Sequence, residues 1–331
     1  MNRHGVIKPM GAMLAGLAAA VLAFTSPAHA IQLTPDWDLK GKFFADVTSS
    51  ERDDDSGFHL KRAYVMLRGK LADGAKFGLT LDQRSEASAG GEGVFVKHAY
   101  LSKSYKGILY TAGLHGTPYV PWDEKHFWGY RFVENTFTDE WGAQTSSDLG
   151  VSAQGTGMQG KLDYHVALLN GEGYGNSTDG NGFAFAGRAN IQIDALTVGL
   201  FLHDENHRNG VRDFDPNRQV VFAFYETDTF RFGGQLMMLD DGTGAGTVYD
   251  DGDGYNLQGH YKLPKMTNAH VFARYDSIDI GTNAANADRS LWIVGLAKKV
   301  GENLTIAPNV KEIDNGTVSN LIVGLHTQYT F

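Results

Sequence analysis

The chain has no cysteine in its 331 residues. That excludes a disulfide framework, a thiolate zinc site, an iron–sulfur cluster and an attached c-type haem. Proline is scarce, at 8 residues, which leaves little material for rigid linkers. Basic residues are outnumbered, 29 against 38 acidic ones, so nucleic acid is not an expected partner. Long apolar runs are also missing. Beyond residue 30 none reaches the roughly 18 residues that a membrane-spanning helix needs.

The one apolar run lies at the start, in "MNRHGVIKPMGAMLAGLAAAVLAFTSPAHA". Arg3 and Lys8 form a basic segment, an apolar stretch follows from Met10 to Phe24, and Ala28-His29-Ala30 closes it. This reads as a secretory signal cut after Ala30; the run is short for a membrane anchor. The first thirty residues hold two basic and no acidic residues, so the remainder carries a net charge of −11. With no low-complexity tract and no break in composition, residues 31–331 read as one domain.

Glycine, at 41 residues, and aromatic residues, at 11%, are abundant, a mixture that suits strands and turns. Stretches such as "HLKRAYVMLRGKL", "KLDYHVALL", "YNLQGHYKL" and "RSLWIVGLAKKV" recur along the chain. About sixteen such runs of roughly ten residues each match the length of a tilted strand crossing a bilayer. Their connections alternate strictly. Short ones ("LADG", "SYKG", "ETDT", "GEN") take turns with long ones ("SSERDDDSG", "SEASAGGEG", "DENHRNGVRDFDPN"). An up-and-down barrel with tight turns at one end and long loops at the other requires that alternation, whereas a β-sandwich does not.

The faces agree. In "YNLQGHYKL", Tyr255, Leu257, Tyr261 and Leu263 face one way, and Asn256, Gln258, His260 and Lys262 the other. The chain ends "SNLIVGLHTQYTF", with Leu321, Val323, Leu325, Thr327, Tyr329 and Phe331 on one parity. A last strand of alternate apolar residues with a terminal Phe resembles the assembly signal of bacterial outer-membrane barrels. The expected fold is therefore all-β: a transmembrane antiparallel up-and-down β-barrel of about sixteen strands, in the outer membrane. Lipid and lipopolysaccharide would surround it.

A barrel of that size encloses a lumen too wide for side chains to fill, so an aqueous channel is the expectation. The longest connection, Gly116 to Ser147, follows the fifth run. In sixteen-stranded general porins the third outer loop, after the fifth strand, folds into the barrel as a constriction, and this loop resembles that pattern. It carries Asp123, Glu124, Glu134, Asp139 and Glu140 against Lys125 and Arg131. Its aromatics, including Tyr119, Trp122, Phe127, Trp128, Tyr130 and Trp141, suit packing against the wall, which would leave the carboxylates toward the pore. Arg62, Arg68, Arg84, Arg188, Arg231 and Arg274 lie in strand runs. On the lipid face near the midplane each would cost about 2–4 kcal/mol, so they are expected to point into water. They either face the acidic loop across the pore and set ion preference, or pair with Asp82, Asp163 and Asp276 and stiffen the wall.

Five further phrases, "LKRAYVMLRGKL", "GLHGTPYVPWDE", "ALLNGEGYG", "FAGRANI" and "VFARYDSID", resemble the phosphate-selective porin O and P family. The resemblance implies a barrel that passes ions and small hydrophilic solutes without a cofactor, and the likeness to sixteen-stranded porins implies a homotrimer. The acidic third loop lacks the dense lysine run a phosphate site would want, so phosphate selectivity is not implied.

Other motifs carry less. "GTGMQGKL" has P-loop glycines and lysine, but Leu162 stands where a Ser/Thr would meet magnesium and a strand follows. "DDDSG", "DDGTG" and "DDGDG" lack EF-hand spacing. The 12 histidines are scattered, so no metal site is expected. No nucleophile–base pair is visible, which disfavours an outer-membrane hydrolase. The remaining alternative is a barrel that sheathes a periplasmic or electron-transfer partner.

Overall fold

The computed structural model describes residues 30–331 apart from 53–55, 85–92, 172, 176–181, 209–212, 215, 242–251 and 282–287. The leader and its cleavage site up to residue 29 therefore lie outside the described residues, as do most of the acidic loop motifs. Among the described residues no helix is long and apolar enough to cross a membrane.

Sixteen strands form a closed antiparallel barrel. They are β1 (Trp37–Ser50), β2 (Gly57–Lys70), β3 (Lys76–Arg84), β4 (Gly93–Tyr105), β5 (Ile108–Gly116), β6 (Ser147–Gly157), β7 (Leu162–Leu169) and β8 (Gly182–Ile193), then β9 (Leu196–Arg208), β10 (Asn217–Glu226), β11 (Phe230–Asp240), β12 (Gly252–Lys262), β13 (Ala269–Asp279), β14 (Asp288–Val300), β15 (Leu304–Asp314) and β16 (Ser319–Thr330). Two short pieces extend the sheet: Ile31–Thr34 pairs with the start of β1, and Asp213–Phe214 with the end of β9. Each strand pairs with its sequence neighbour, and β16 closes on β1 with Ile322 opposite Ser50 and Thr330 opposite Lys42. Closure leaves no sheet edge, the condition for crossing lipid with strands.

The terminal phenylalanine completes that seam. Gly41 and Phe331 exchange both backbone hydrogen bonds at 3.0 Å. The ring lies so close over Gly41 that a Cβ there would sit 2.1 Å from it, and it stacks on Phe43 at 6.0 Å between centroids. Glycine is required at this position by close approach. Gly41→Val is expected to expel the ring and lower the yield of folded barrel, read as the heat-modifiable band on a gel. An unchanged yield would show that the seam does not depend on this contact.

One parity of the wall presents exposed side chains such as Leu200, Val221, Leu236, Leu257, Tyr275 and Val294. This is the lipid-facing parity, and the last strand follows it, with Leu321, Val323 and Leu325 opposed in parity to buried Ile322 and His326. The inner parity differs from the sequence expectation of polar residues. Along β9 to β11, β13 and β14 it mixes buried apolar residues, Phe201, Phe222, Met237, Phe272, Leu291 and Ile293, with polar ones such as Arg218, Gln235 and Arg274, whereas β12 keeps the expected polar Asn256 and Gln258. Over the middle of β10 and of β14 both faces are apolar, which explains why "VVFAFYE" and "LWIVGLA" read as continuous apolar runs.

Two β-bulges break the alternation. Between β1 and β2 the register runs Phe44 opposite Arg62, then Ala45 opposite Leu60, so Lys61 is the extra residue. Between β3 and β4 it runs Thr80 opposite His98, then Leu81 opposite Val96, so Lys97 is the extra residue. A bulge re-aims a side chain that would otherwise fall on the wrong face. Here it lets adjacent polar residues, Lys61-Arg62 and Lys97-His98, both avoid lipid.

Candidate functional site

Gly116 and Ser147 form the last rung between β5 and β6, so the loop proper is residues 117–146. It is locally ordered. Helix α1 (Val120–Asp123) starts with Pro121, whose fixed φ suits a first turn, and runs into a π-helical turn at Glu124–Trp128. Gly129, at φ 78°, ends that turn in the left-handed conformation that only glycine adopts without strain, and its N–H bonds the Glu124 carbonyl at 3.2 Å. A second short helix, α2, spans Phe137–Glu140.

The loop's aromatic residues meet the apolar inner parity. Tyr119 stacks on Phe201 at 5.0 Å, Phe127 on Phe224 at 5.0 Å and Tyr130 on Phe272 at 4.3 Å. Trp122 tilts against Phe222 at 4.8 Å, and Phe132 against Phe44 at 6.3 Å. Tyr119, Val120, Trp128, Val133 and Phe137 are all essentially inaccessible.

A buried loop carries backbone groups with no ladder to satisfy them, which is why loops ordinarily stay at the surface. Here the wall supplies the donors. Arg188 on β8 donates Nε–H to the Pro118 carbonyl at 3.0 Å. Arg231 on β11 donates to Phe127 at 3.1 Å, Lys61 on β2 to Val133 at 2.8 Å, and Arg218 on β10 to Ala143 at 3.3 Å. Arg274 on β13 donates to the Asn135 carbonyl. Five cations on five strands thus bond five loop carbonyls. Side-chain bonds add to them: Trp141 Nε1 donates to Asp276 at 3.1 Å, and Lys311 on β15 pairs with Glu134.

The acidic residues of the loop divide into three kinds. Glu124 and Asp139 pair with Arg131 at 2.9 and 3.2 Å. Glu134 is buried, which alone would raise its pKa, but the charges of Lys311 and Lys61 outweigh burial and hold its carboxyl well below the usual range. Asp123 is buried and Glu140 half-buried, and no cation is bonded to either among the described residues. Burial pushes Asp123 up to about 7; its carboxyl accepts from Gln235 Nε2 at 3.1 Å, and Gln235 in turn accepts from the Tyr119 hydroxyl at 2.8 Å. Burial, reinforced by the neighbouring charge of Glu134, pushes Glu140 up to about 8.

Of the wall arginines singled out in the sequence, Arg188, Arg231 and Arg274 bond the loop as described. Arg62 pairs with Asp82 at 2.9 Å and reaches the Tyr174 hydroxyl at 3.3 Å. Arg68 bonds the Leu67 and Leu79 carbonyls and Thr80, and makes no ion pair among the described residues. The side chain of Arg84 lies outside the described residues. Arg188 also pairs with Asp163, and Arg274 with Asp276.

Sequence reasoning did not single out Lys61, Lys97, Arg218, Gln235 or Lys311. For Lys61 and Lys97 the signal is present: two adjacent polar residues inside an alternating strand point to a bulge. Lys97 is nearly inaccessible and lies over the rings of Tyr64 at 5.2 Å and Tyr174 at 5.4 Å, with no carboxylate partner among the described residues. A cation on aromatic faces is stabilised without being neutralised.

A cavity of about 630 Å³ remains between the loop and the inner wall of β4 to β8. Among the described residues no cluster of three or more histidines and carboxylates could hold a metal ion.

A family model described as Gram-negative porin matches residues 16–317. Solved structures with the same barrel include OprB of Pseudomonas putida, at 12% identity and a TM-score of 0.69 over 96% of this chain and 97% of that one. The anion-selective porin of Comamonas acidovorans aligns at 15% identity and a TM-score of 0.66, over 89% of this chain and 99% of its own. OmpT of Vibrio cholerae aligns at 12% identity and a TM-score of 0.66, over 92% and 100%. At such identities the likeness is one of fold. No curated protein sequence matches the chain.

Proposed function

The chain belongs to the Gram-negative porin family, and from that premise we propose that it is a channel for passive diffusion of ions and small hydrophilic solutes, narrowed by loop 117–146 folded into its lumen. Family membership makes the protein an outer-membrane porin and not an enzyme. The constriction is the finer reading, and one observation carries it: five cations from strands spread around the wall donate to five carbonyls of the same loop. A loop held on an outer rim would not meet β2, β8, β10, β11 and β13 together. In this reading Asp123, Glu124, Arg131, Glu134, Asp139 and Glu140 belong to the constriction, and Arg62, Arg68, Arg84, Arg188, Arg231 and Arg274 to the wall around it. Residues 1–30 are the export signal, removed after Ala30. The working unit is a homotrimer in a lipopolysaccharide-bearing membrane; one neighbouring structure, OmpT, is described as a trimer form.

The charge pattern sets the expected selectivity. The loop carboxylates are paired, or shifted toward the neutral acid, while Arg68 and Lys125, which line the cavity, make no ion pair among the described residues. Ions crossing this pore therefore meet unneutralised positive charge, and the channel is expected to be anion-selective. The test is planar-bilayer recording of the refolded mature chain under a salt gradient. A reversal potential of the anion-selective sign supports the reading, and Lys125→Glu should shift it toward cations. Cation selectivity of the native chain would overturn the charge assignment. No conductance from a folded barrel would overturn the channel.

A further inference from the structure

The cavity beside the loop is not simply a gap. It runs from Gly107, in the short turn between β4 and β5, up to Thr117 and Pro118 at the start of the loop. Its volume of about 630 Å³ lies in the range of small-molecule sites. Its floor is a continuous polar surface on three neighbouring strands. Ser102 and Ser104 of β4, Thr111 of β5, and Ser152, Gln154 and Thr156 of β6 all line it. Such density of hydroxyl groups gives a ligand many weak donors and acceptors, while Trp122, Tyr100 and Tyr164 in the lining offer it faces to pack on.

Charge in the cavity has one sign in excess. Arg68, Lys125 and Arg188 line it, against a single carboxylate among the described residues, Asp163, which is paired with Arg188. Arg68 is held in place by the Leu67 and Leu79 carbonyls at 3.1 and 2.9 Å and by Thr80 at 3.0 Å, with its guanidinium 5.9 Å from the Tyr100 ring centre. It is oriented, yet no carboxylate among the described residues neutralises it. Lys125 is exposed at the opposite side, on the loop. His165, also in the lining, keeps its Nε2 buried without a hydrogen-bond partner among the described residues. A ligand hydroxyl that reaches this atom would give it a hydrogen-bond partner.

We propose that this cavity binds small hydroxylated carboxylates, of the sugar-acid class, on the short-turn side of the constriction. The carboxylate pairs with Arg68 through charge-assisted bonds, and Lys125 adds positive charge to the same lining. The hydroxyl groups lie along the Ser/Thr/Gln floor and reach His165. The inference deepens the channel reading and rests on it, because it places a solute-retaining site directly below the narrowest part of the pore.

The test uses the full mature barrel in detergent, with gluconate as the probe and two partial mimics: sorbitol, which has the hydroxyls without the charge, and propionate, which has the charge without the hydroxyls. Isothermal titration calorimetry should show gluconate binding about tenfold or more tighter than either mimic, since one charge-assisted bond or two neutral ones amount to that factor. Arg68→Gln should weaken gluconate about tenfold. The double change Thr111→Val with Ser152→Val should weaken gluconate several-fold and leave propionate unchanged. Gluconate no tighter than sorbitol, or no tighter than propionate, overturns the proposal, as does undiminished gluconate binding in folded Arg68→Gln protein. Calorimetry is independent of conduction. Binding without conductance would therefore sink the channel reading and keep the site, whereas conductance without binding would sink the site alone.

Discussion

Arg274→Met is expected to be the most damaging single change in the wall. Arg274 and Asp276 are both fully inaccessible, with Nε 2.8 Å from Oδ1. The same guanidinium donates to the Asn135 carbonyl and lies 4.9 Å from the ring centre of Trp128. Asp276 further accepts from Asn256 at 2.6 Å and from Trp141 Nε1 at 3.1 Å, so strand and loop meet on one carboxylate. Methionine would leave a buried carboxylate without its counter-ion, a loss of about 3–5 kcal/mol, and would orphan a loop carbonyl besides. The temperature at which the barrel loses its heat-modifiable band should fall by many degrees. Single-channel current should become noisy as residues 128–137 loosen. The double change Arg274→Met with Asp276→Leu removes the stranded charge, so it should recover much of the thermal stability while the noise persists. A single variant as stable and as quiet as the native chain would refute the anchoring role of the arginine.

The second large effect is one of pH. Asp123, at about 7, and Glu140, at about 8, both lie on the loop, and burial raises both above the ordinary carboxylate range. A raised folded-state pKa means that the folded loop binds its protons more tightly than the unfolded chain. The stability it contributes is complete below about pH 4, where both states are protonated, and is lost as pH rises through 7 and 8. A tenfold difference in proton affinity between the folded and unfolded chain is worth about 1.4 kcal/mol, so Asp123 alone can withdraw a few kcal/mol from the loop. The loop should therefore be held tightest in acid, with current noise and proteolysis within residues 117–146 rising from about pH 4 to 8 and levelling off above. Asp123→Asn cannot ionise and should flatten the lower part of that profile. A profile with the opposite slope, or one indifferent to Asp123→Asn, would show that these acids are not protonated in the folded loop.

Much of the fold was legible because its signals are linear. Alternation in "YNLQGHYKL" assigns a face to each residue from its immediate neighbours. The alternation of short and long connections needs only their lengths, and the terminal Phe331 needs only its place at the end of the last run. The signal of β10 and β14 was less legible, since residues such as Phe222 and Leu291 are apolar toward the inside as well. The reason lies in a distant segment: they pack against the aromatics of loop 117–146 or are enclosed with them. The arginines of the wall were visible as residues that lipid would reject, but not as donors to loop carbonyls.

By itself, then, the sequence determined a strand-built membrane barrel without thiol chemistry, its approximate strand number and its long loop after the fifth strand. Steric alternation and chain length act locally, and a linear text records them in full. Only the tertiary structure decided what the charges do. Lys61 reaches Val133 across 72 residues of chain and Lys311 reaches Glu134 across 177, separations at which no periodicity operates. Bulges at Lys61 and Lys97 then shift the parity that would have been counted on. Once the loop is buried its carbonyls must find donors, and that demand turns an apparent ladder of pore charges into anchors, leaving Arg68, Lys97 and Lys125 without an ion-pair partner among the described residues.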